Sequence, residues 1–204
     1  MKFCEILDGG THVYTSEKIR FTEDPLLLAG FCRTEPGDRV LDIGTGCGII
    51  LLKLCDTGLR GRSAGIDISG EAAVLLSRGL SDSGITWCSS ILADARNYRS
   101  GGFTLAVCNP PYFRAESSVK SPSGERHAAR ADAYMTLGDM AACAHDNLVP
   151  GGRLCFCIPP EREEDAEKAM ESNGLSRSRR EEVPGRNGRT RLLLIEAVRK
   201  EMQS

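Results

Sequence analysis

The chain has 204 residues, of which 41% are hydrophobic and 26% are charged, and its net charge is −2. This length and composition are ordinary for one soluble globular domain with a substantial core, and no repeat or low-complexity tract is present. No apolar run approaches the roughly 18 residues of a membrane span, no cleavable signal pattern opens the chain, and the small charge provides no overall field that would recruit nucleic acid.

The nine cysteines are scattered along the chain without a C-x-x-C pair, and most of them lie in apolar stretches. A free cysteine in such a stretch behaves as a small hydrophobic residue. The histidines, His12, His127 and His145, show no metal-ligand spacing. We therefore expect a reducing cytoplasm, no metal site and no disulfides.

Strands and helices alternate after a poorly periodic lead-in over residues 1–20. A first helix is predicted with Asp24 as its N-cap and Pro25 in its first turn. The strands predicted next lie near 38–43, 62–67, 85–91, 103–108 and 153–158, and the helices near 47–57, 70–83, 132–148 and 161–173. Pro150-Gly151-Gly152 is predicted to separate the third of these helices from the following strand.

Two further strands, near 175–183 and 190–198, are joined through Asn187-Gly188, which is a hairpin signal. The whole pattern predicts an α/β fold of the Rossmann-like type. Its seven-stranded sheet should be mostly parallel with an antiparallel last strand, and helices should cover both faces. Ligands are then expected at the carboxyl ends of the strands.

The first strand of this alternating region runs into the glycine loop Gly44-Thr45-Gly46-Cys47-Gly48, and a helix follows. Glycines allow positive φ and close approach of a ligand, and the helix N-terminus offers free N–H groups. A dinucleotide loop would be spaced G-x-G-x-x-G, which argues against an oxidoreductase. The carboxylate of Asp42 favours a cationic ligand such as S-adenosylmethionine, which carries an ammonium and a sulfonium group. The alternative is a glycine turn that only packs the helix against the strand.

Two more carboxylates, Asp67 and Asp94, are placed at the ends of the next two predicted strands. Asp67 has the offset from the glycines at which an acid meets ribose hydroxyls, and Asp94 is placed to accept from an adenine amino group. Each of these aspartates could instead be a helix cap, but together with Asp42 they are three carboxylates at successive strand ends, which favours a nucleotide site. The predicted cofactor-binding residues are Asp42, Gly44, Thr45, Gly46, Gly48, Asp67, Ile68, Asp94, Ala95 and Asn109.

The apolar run 103–108 ends abruptly at Asn109-Pro110-Pro111-Tyr112. Neither proline has an N–H, and each pushes the residue before it towards extended geometry. The side-chain amide of Asn109 and the carbonyl of Pro110 can therefore project from the strand end without a ladder partner. Two convergent acceptors suit an exocyclic amino group, although a simple strand-ending turn is the alternative.

Asn109, Pro110 and Tyr112 are accordingly the predicted catalytic residues. If Asn109 and Pro110 accept the two N–H bonds of a ring-conjugated amine, its nitrogen can pyramidalise and direct its lone pair at a methyl group. The remaining contribution is in-line alignment. Tyr112 is expected to stack on an extruded base, with core packing as its alternative role.

Two stretches carry a local excess of cations that could contact RNA. Residues 113–130 are predicted to be a mobile substrate loop, and residues 177–191 hold a second basic patch with interspersed glutamates. An ion-paired, solvated surface is the alternative for the second stretch. The predicted substrate-binding residues are Pro111, Phe113, Arg114, Lys120, Arg126, Arg130, Arg177, Arg179 and Arg180.

Together these motifs resemble class I S-adenosylmethionine-dependent methyltransferases, in particular the bacterial enzymes that N6-methylate adenine 37 of a valine tRNA. The resemblance covers nearly the full length. Besides the glycine loop and the Asn-Pro-Pro-Tyr segment, it is carried by Phe21-Thr22-Glu23-Asp24-Pro25, Ala129-Arg130, Ile158-Pro159-Pro160-Glu161-Arg162 and Leu194-Ile195-Glu196-Ala197.

The resemblance implies a single methyltransferase domain over residues 1–204, with residues 1–35 covering the cofactor site. It also implies a monomer that binds S-adenosylmethionine and tRNA, without a metal or a membrane. Protein glutamine, DNA adenine and rRNA adenine are alternative acceptors, and an inactive cofactor- or RNA-binding module is a non-enzyme alternative. The chain shows no extra N-terminal helical domain and no DNA-reading domain, which favours RNA.

Overall fold

A seven-stranded sheet lies at the centre of the computed structural model, which describes residues 2–110, 135–186 and 188–201. Its strands are β3 (Val40–Ile43), β4 (Ser63–Asp67), β5 (Cys88–Leu92), β6 (Phe103–Cys108), β7 (Leu148–Ile158), β8 (Leu175–Pro184) and β9 (Thr190–Arg199). Their order across the sheet is β5-β4-β3-β6-β7-β9-β8. The neighbouring pairs from β5 to β7 are parallel, and β9 is antiparallel to both of its neighbours.

The predicted α/β fold is therefore confirmed, including the antiparallel last strand. That strand is inserted between β7 and β8, so β8 forms the edge of the sheet. The chain runs outward from β3 through β4 to β5 and then returns to β6 on the other side of β3. Such a reversal leaves a crevice at the carboxyl ends of the strands, where ligands of α/β sheets bind.

Helices cover both faces of the sheet. They are α1 (Asp24–Phe31), α2 (Ile49–Asp56), α3 (Gly70–Asp82), α4 (Leu137–Asn147) and α5 (Glu163–Ser172), with a short 3-10 helix, Pro160–Arg162, before α5. Side chains of β6 alternate between the two cores: Leu105 and Val107 pack with α1, α2 and α3, whereas Ala106 and Cys108 pack with α4 and α5. This alternation matters for the site because it determines which strand-end side chains share a face.

The lead-in forms an antiparallel hairpin of β1 (Lys2–Ile6) and β2 (His12–Ser16), which the sequence did not predict. Its described β1 side chains are largely exposed, whereas those of β2 are almost all buried, so neither strand shows the alternation that marks a half-buried strand. The hydroxyl of Tyr14 donates to Asp82 at 2.6 Å and attaches the hairpin to α3.

Several predicted boundaries were wrong. Glu23, not Asp24, is the N-cap of α1. Strand β5 begins at Cys88 rather than near 85, and Asp94 lies two residues beyond its last residue, Leu92, rather than at the strand end. Strand β7 begins at Leu148 rather than near 153, because an irregularity in its pairing with β6 accommodates the Pro-Gly-Gly segment. Over the part of the chain that the structure describes, no helix combines the length and apolarity needed to cross a bilayer.

Candidate functional site

A cavity of about 450 Å³ opens at the carboxyl ends of β3 and β4. The structure gathers around it six of the predicted cofactor-binding residues, which are Gly44, Gly46, Asp67, Ile68, Asp94 and Ala95. Its lining also includes Ile19, Ser69, Arg96 and Met135, which sequence reasoning missed. The apolar residues of this second group carry no local signal, since they come from segments distant in the chain.

The glycines of the loop serve two different purposes. Gly44 and Gly46 have φ of 69° and 57°, and a Cβ at either position would have no atom nearer than 3.8 Å. Gly48 precedes α2 with φ of 82°, and a Cβ there would lie 2.4 Å from the side chain of Leu76. Close packing against α3 therefore explains why position 48 is a glycine, whereas the open space at Gly44 and Gly46 leaves room for a ligand beside the backbone.

Backbone hydrogen bonds hold the loop against β4. The N–H groups of Gly44 and Thr45 both donate to the carbonyl of Ile66 at 2.9 Å. The N–H of Gly46 donates to Asp67 Oδ2 at 2.9 Å, and the N–H of Ser69 donates to Asp67 Oδ1 at 2.8 Å. Each oxygen of Asp67 can accept a further hydrogen bond, so this carboxylate is both a structural tie and an acceptor facing the cavity.

Asp42 lies beneath the loop and is 1% exposed. Its Oδ2 accepts a 2.6 Å hydrogen bond from the hydroxyl of Thr45, whereas its Oδ1 is buried and has no hydrogen-bond partner among the described residues. Burial is the main reason that the pKa of Asp42 rises to about 7, and the nearby charge of Asp67 adds to this effect. The backbone N–H of Leu51 acts on this carboxylate in the opposite sense and lowers the pKa. Asp42 does not itself line the cavity, but a buried oxygen that lacks a well-formed hydrogen bond fits a cationic ligand that would bring a donor.

Asp94 is already ion-paired at the rim of the cavity. The Nε of Arg96 lies 3.0 Å from its Oδ1 and the Nη2 lies 2.6 Å from its Oδ2. These hydrogen bonds hold the pKa of Asp94 below its usual range. An adenine amino group would therefore have to share this carboxylate with Arg96, a cation only two residues away in the sequence.

Asn109 follows β6 directly, and Pro110 is buried. Asn109 Oδ1 accepts a hydrogen bond from the thiol of Cys157 on β7, with an O···S distance of 3.2 Å. The sequence placed position 157 only within the predicted strand 153–158 and gave it no role in the site. The predictions for Pro111, Tyr112, Phe113, Arg114, Lys120, Arg126 and Arg130 lie outside the described residues.

The arginines of β8 lie beside α5 and β9 and are engaged in ion pairs. Arg177 pairs with Glu163 at 2.9 Å and with Glu167 at 2.7 Å. Arg180 pairs with Glu163 and with Glu182, each at 2.7 Å. This is the ion-paired surface that the sequence left open as the alternative, and a contact of Arg177 or Arg180 with RNA stays a prediction.

Arg179 is placed differently from the surface cation that the sequence predicted. Its side chain is 18% exposed, and its guanidinium lies 3.7 Å from the ring centroid of Phe31. It also pairs at 3.4 Å with Glu196, which is largely buried in β9. A buried carboxylate requires a nearby cation, and this requirement accounts for the inward position of Arg179.

Across the described ranges, no group of three or more His, Cys, Asp or Glu side chains is arranged to hold a metal ion. All nine cysteines are free thiols. Two carboxylates, Asp67 and Asp94, line the cavity beside the glycine loop, whereas Asp42 is buried beneath the loop and Asn109 follows β6. Side chains of these types can accept hydrogen bonds and positive charge.

Comparison with known proteins gives a consistent assignment. Residues 12–173 match the family model described as Methyltransferase small domain. A tRNA1(Val) (adenine(37)-N6)-methyltransferase of Parabacteroides distasonis is 30% identical over 178 residues, which are 85% of this chain and 74% of that protein. A protein of the same name from Porphyromonas gingivalis is 33% identical over 179 residues, covering 81% of this chain and 68% of that protein. A third protein of this name, from Pectobacterium carotovorum, is 30% identical over 145 residues, which are 67% of this chain and 56% of that protein.

Solved structures share the fold. A predicted O-methyltransferase from Agrobacterium tumefaciens superposes with a TM-score of 0.67 at 18% identity, covering 88% of this chain and 82% of that one. A ribosomal protein L11 methylase from Lactobacillus delbrueckii superposes with a TM-score of 0.63 at 18% identity, covering 87% and 77%. The chain belongs to the methyltransferase small domain family, among the class I S-adenosylmethionine-dependent methyltransferases that include the bacterial tRNA1(Val) (adenine(37)-N6)-methyltransferases.

Proposed function

We propose that this protein transfers a methyl group from S-adenosylmethionine to the N6 amino group of an adenine in tRNA, and that the acceptor is position 37 of a valine tRNA. The relatives at 30–33% identity carry this activity in their names. The nine free thiols and a tRNA acceptor both suit action in the cytoplasm.

The observation that carries the proposal is the position of Asn109 relative to the glycine loop. Strands β3 and β6 are parallel neighbours, and their last paired residues are Asp42 and Val107. Gly44 and Asn109 each lie two residues beyond that pair. The carboxamide of Asn109 is therefore brought to the same end of the sheet as the cavity.

Two acids that line the cavity, and a third buried beneath the glycine loop, suit the polar groups of the cofactor. Asp42 would provide a negative charge for the ammonium group, and its unpartnered Oδ1 would gain a donor. Asp67 would accept from ribose hydroxyls with the lone pairs that its two backbone hydrogen bonds leave free. Asp94 would accept from the adenine amino group, with Ile68 and Ala95 beside the ring.

S-adenosylmethionine, when bound, supplies an electrophilic methyl group on its sulfonium. Asn109 Oδ1 and the carbonyl of Pro110 would accept the two N–H bonds of the acceptor amine, which weakens conjugation of its lone pair with the ring. Positive charge develops on this nitrogen in the transition state, and oxygen dipoles that are already fixed around it stabilise that charge. The methylated nitrogen is acidic enough to lose its proton to water, so no protein base is required.

The proposal is tested by incubating the protein with methyl-labelled cofactor and separate pools of tRNA, DNA and protein. We expect label in tRNA, in a valine tRNA transcript, and not in the same transcript with guanine at position 37. Asn109→Ala should lower the rate by about 100-fold, the effect of removing one preorganised polar group, while S-adenosylhomocysteine affinity stays within about twofold.

Asn173→Ala, at the end of α5, is the matched control and should leave the rate unchanged. Label in the protein or DNA pool instead of tRNA would refute the proposed acceptor. Loss of both rate and cofactor affinity in Asn109→Ala would show that Asn109 is structural and not catalytic.

A further inference from the structure

The thiol of Cys157 and the carboxamide of Asn109 form a contact that joins the end of β7 to the catalytic turn. The sulfur lies 3.2 Å from Asn109 Oδ1, well within the distance of a thiol hydrogen bond. Cys157 is fully buried, so its S–H cannot donate to bulk water. The thiol is thus confined to partners inside the protein, and the oxygen of Asn109 is one of them.

Sheet register makes this contact a consequence of the fold. Cys108 of β6 pairs with Phe156 of β7, and Asn109 and Cys157 are the next residues along these two parallel chains. Val107 and Cys155 both pack in the core on the α1 and α2 side, and the alternation of side chains directs Asn109 and Cys157 to that side as well. Two neighbouring side chains on one face of adjacent strands are within contact distance.

An asparagine side chain needs such a contact to hold one orientation. Its terminal torsion joins an sp³ and an sp² carbon, so the preferred angles are broad and the carboxamide turns easily. A donor at 3.2 Å selects the oxygen rather than the nitrogen of the carboxamide for the side facing β7. The carbonyl oxygen has two lone pairs, so one hydrogen bond from the thiol does not prevent it from accepting a second donor.

We propose that Cys157 is a positioning residue for the methyl transfer: its thiol holds the carboxamide of Asn109 in the orientation from which Oδ1 accepts a hydrogen bond from the acceptor amine. This inference rests on the catalytic role of Asn109 in the proposed function. In this role Cys157 acts through Asn109 rather than on the reacting atoms.

Three variants separate the donor from the volume of the side chain. Cys157→Val keeps a similar volume and removes the donor, whereas Cys157→Ser restores a donor. Cys155→Val is the matched control, since Cys155 is equally buried on the same strand and face but lies 3.7 Å from Glu196 instead of contacting Asn109. Each variant is assayed for kcat on tRNA, for S-adenosylhomocysteine affinity by calorimetry and for Tm.

We expect Cys157→Val to lower kcat by about fivefold, the size of one ordinary hydrogen bond, with the affinity for S-adenosylhomocysteine unchanged within about twofold. Cys157→Ser should return kcat to within about twofold of wild type, and Cys155→Val should leave it unchanged. A kcat for Cys157→Val equal to that of wild type would overturn the proposal. So would a serine variant as impaired as the valine variant, because packing alone would then explain the loss.

The contact itself is measured without any activity by the infrared S–H stretching band of Cys157, taken as the difference between wild type and Cys157→Val. The band should move to higher frequency in Asn109→Ala, since the thiol loses an acceptor. An unchanged band would overturn the inference while leaving the proposed function intact. A wild-type protein that labels no pool would overturn the proposed function, and the positioning role with it.

Discussion

The buried carboxylate of Asp42 should make the protein less stable as the pH rises towards 7. Asp42 is 1% exposed, and burial raises its pKa to about 7, compared with 3.8 for a free side chain. The unfolded chain keeps the ordinary pKa, so the folded state binds more protons between these two values. Stability therefore decreases with pH across this window and levels off above pH 7.

The size of this loss of stability follows from the pH range over which denaturation is measured. Between pH 5 and pH 8 the folded pKa lies about two pH units above the starting point, and each unit is worth about 1.36 kcal/mol. The free energy of unfolding should therefore fall by roughly 2–3 kcal/mol, which for a chain of this length lowers Tm by roughly 5–10 °C.

Asp42→Asn isolates this contribution because the amide still offers an oxygen to the hydroxyl of Thr45 but cannot ionise. Urea denaturation of wild type and variant from pH 5 to pH 8 measures the difference in the free energy of unfolding at each pH. That difference should shift in favour of the variant by roughly 2–3 kcal/mol as the pH rises. Asp8→Asn, at a fully exposed side chain, is the control and should show almost no shift.

A difference between wild type and Asp42→Asn that is the same at pH 5 and pH 8 would refute the reasoning. The variant also tests the ligand assignment, because a cationic ligand loses its charged partner. S-adenosylhomocysteine affinity should fall by about tenfold or more, as expected for one hydrogen bond to a charged group. An unchanged affinity would mean that the ammonium group binds elsewhere.

Three further predictions concern the loop, its acid and the basic strand. In urea denaturation, Gly48→Ala should lower the free energy of unfolding by about 2 kcal/mol more than the control Gly10→Ala does. Both glycines have positive φ, but only a Cβ at position 48 would overlap a neighbouring side chain. Equal losses of stability in the two variants would contradict this. Asp67→Asn should weaken S-adenosylhomocysteine binding by about tenfold in calorimetry, since a carboxamide has only one oxygen to accept from the N–H groups of Gly46 and Ser69. Wild-type affinity would show that the second of these hydrogen bonds is dispensable. Arg180→Ala should change the slope of log affinity for tRNA against log salt concentration by less than about 0.5, because two glutamates already pair with Arg180. If Arg180 instead contacted a phosphate, its removal would reduce the magnitude of this slope by about 1.

The sequence was sufficient for features that depend on neighbouring residues. Strand–helix alternation predicted the order of the elements from β3 to β9, and the glycine spacing predicted the loop before α2. The apolar run before Asn109 predicted β6 at its observed bounds. Local patterns failed to predict the N-terminal hairpin, because burial does not alternate along its second strand, in which nearly every residue is buried.

What the sequence by itself determined was the fold class and the set of polar residues at the strand ends, because periodicity, glycine and proline act over a few residues. The tertiary structure alone decided how those residues are partnered. The pKa of Asp42 depends on the depth of its burial, the pairing of Arg179 with Phe31 joins residues 148 positions apart, and the contact of Cys157 with Asn109 spans 48 positions. Such partnerships arise only when the sheet brings distant segments together, so no local pattern in the chain could have indicated them.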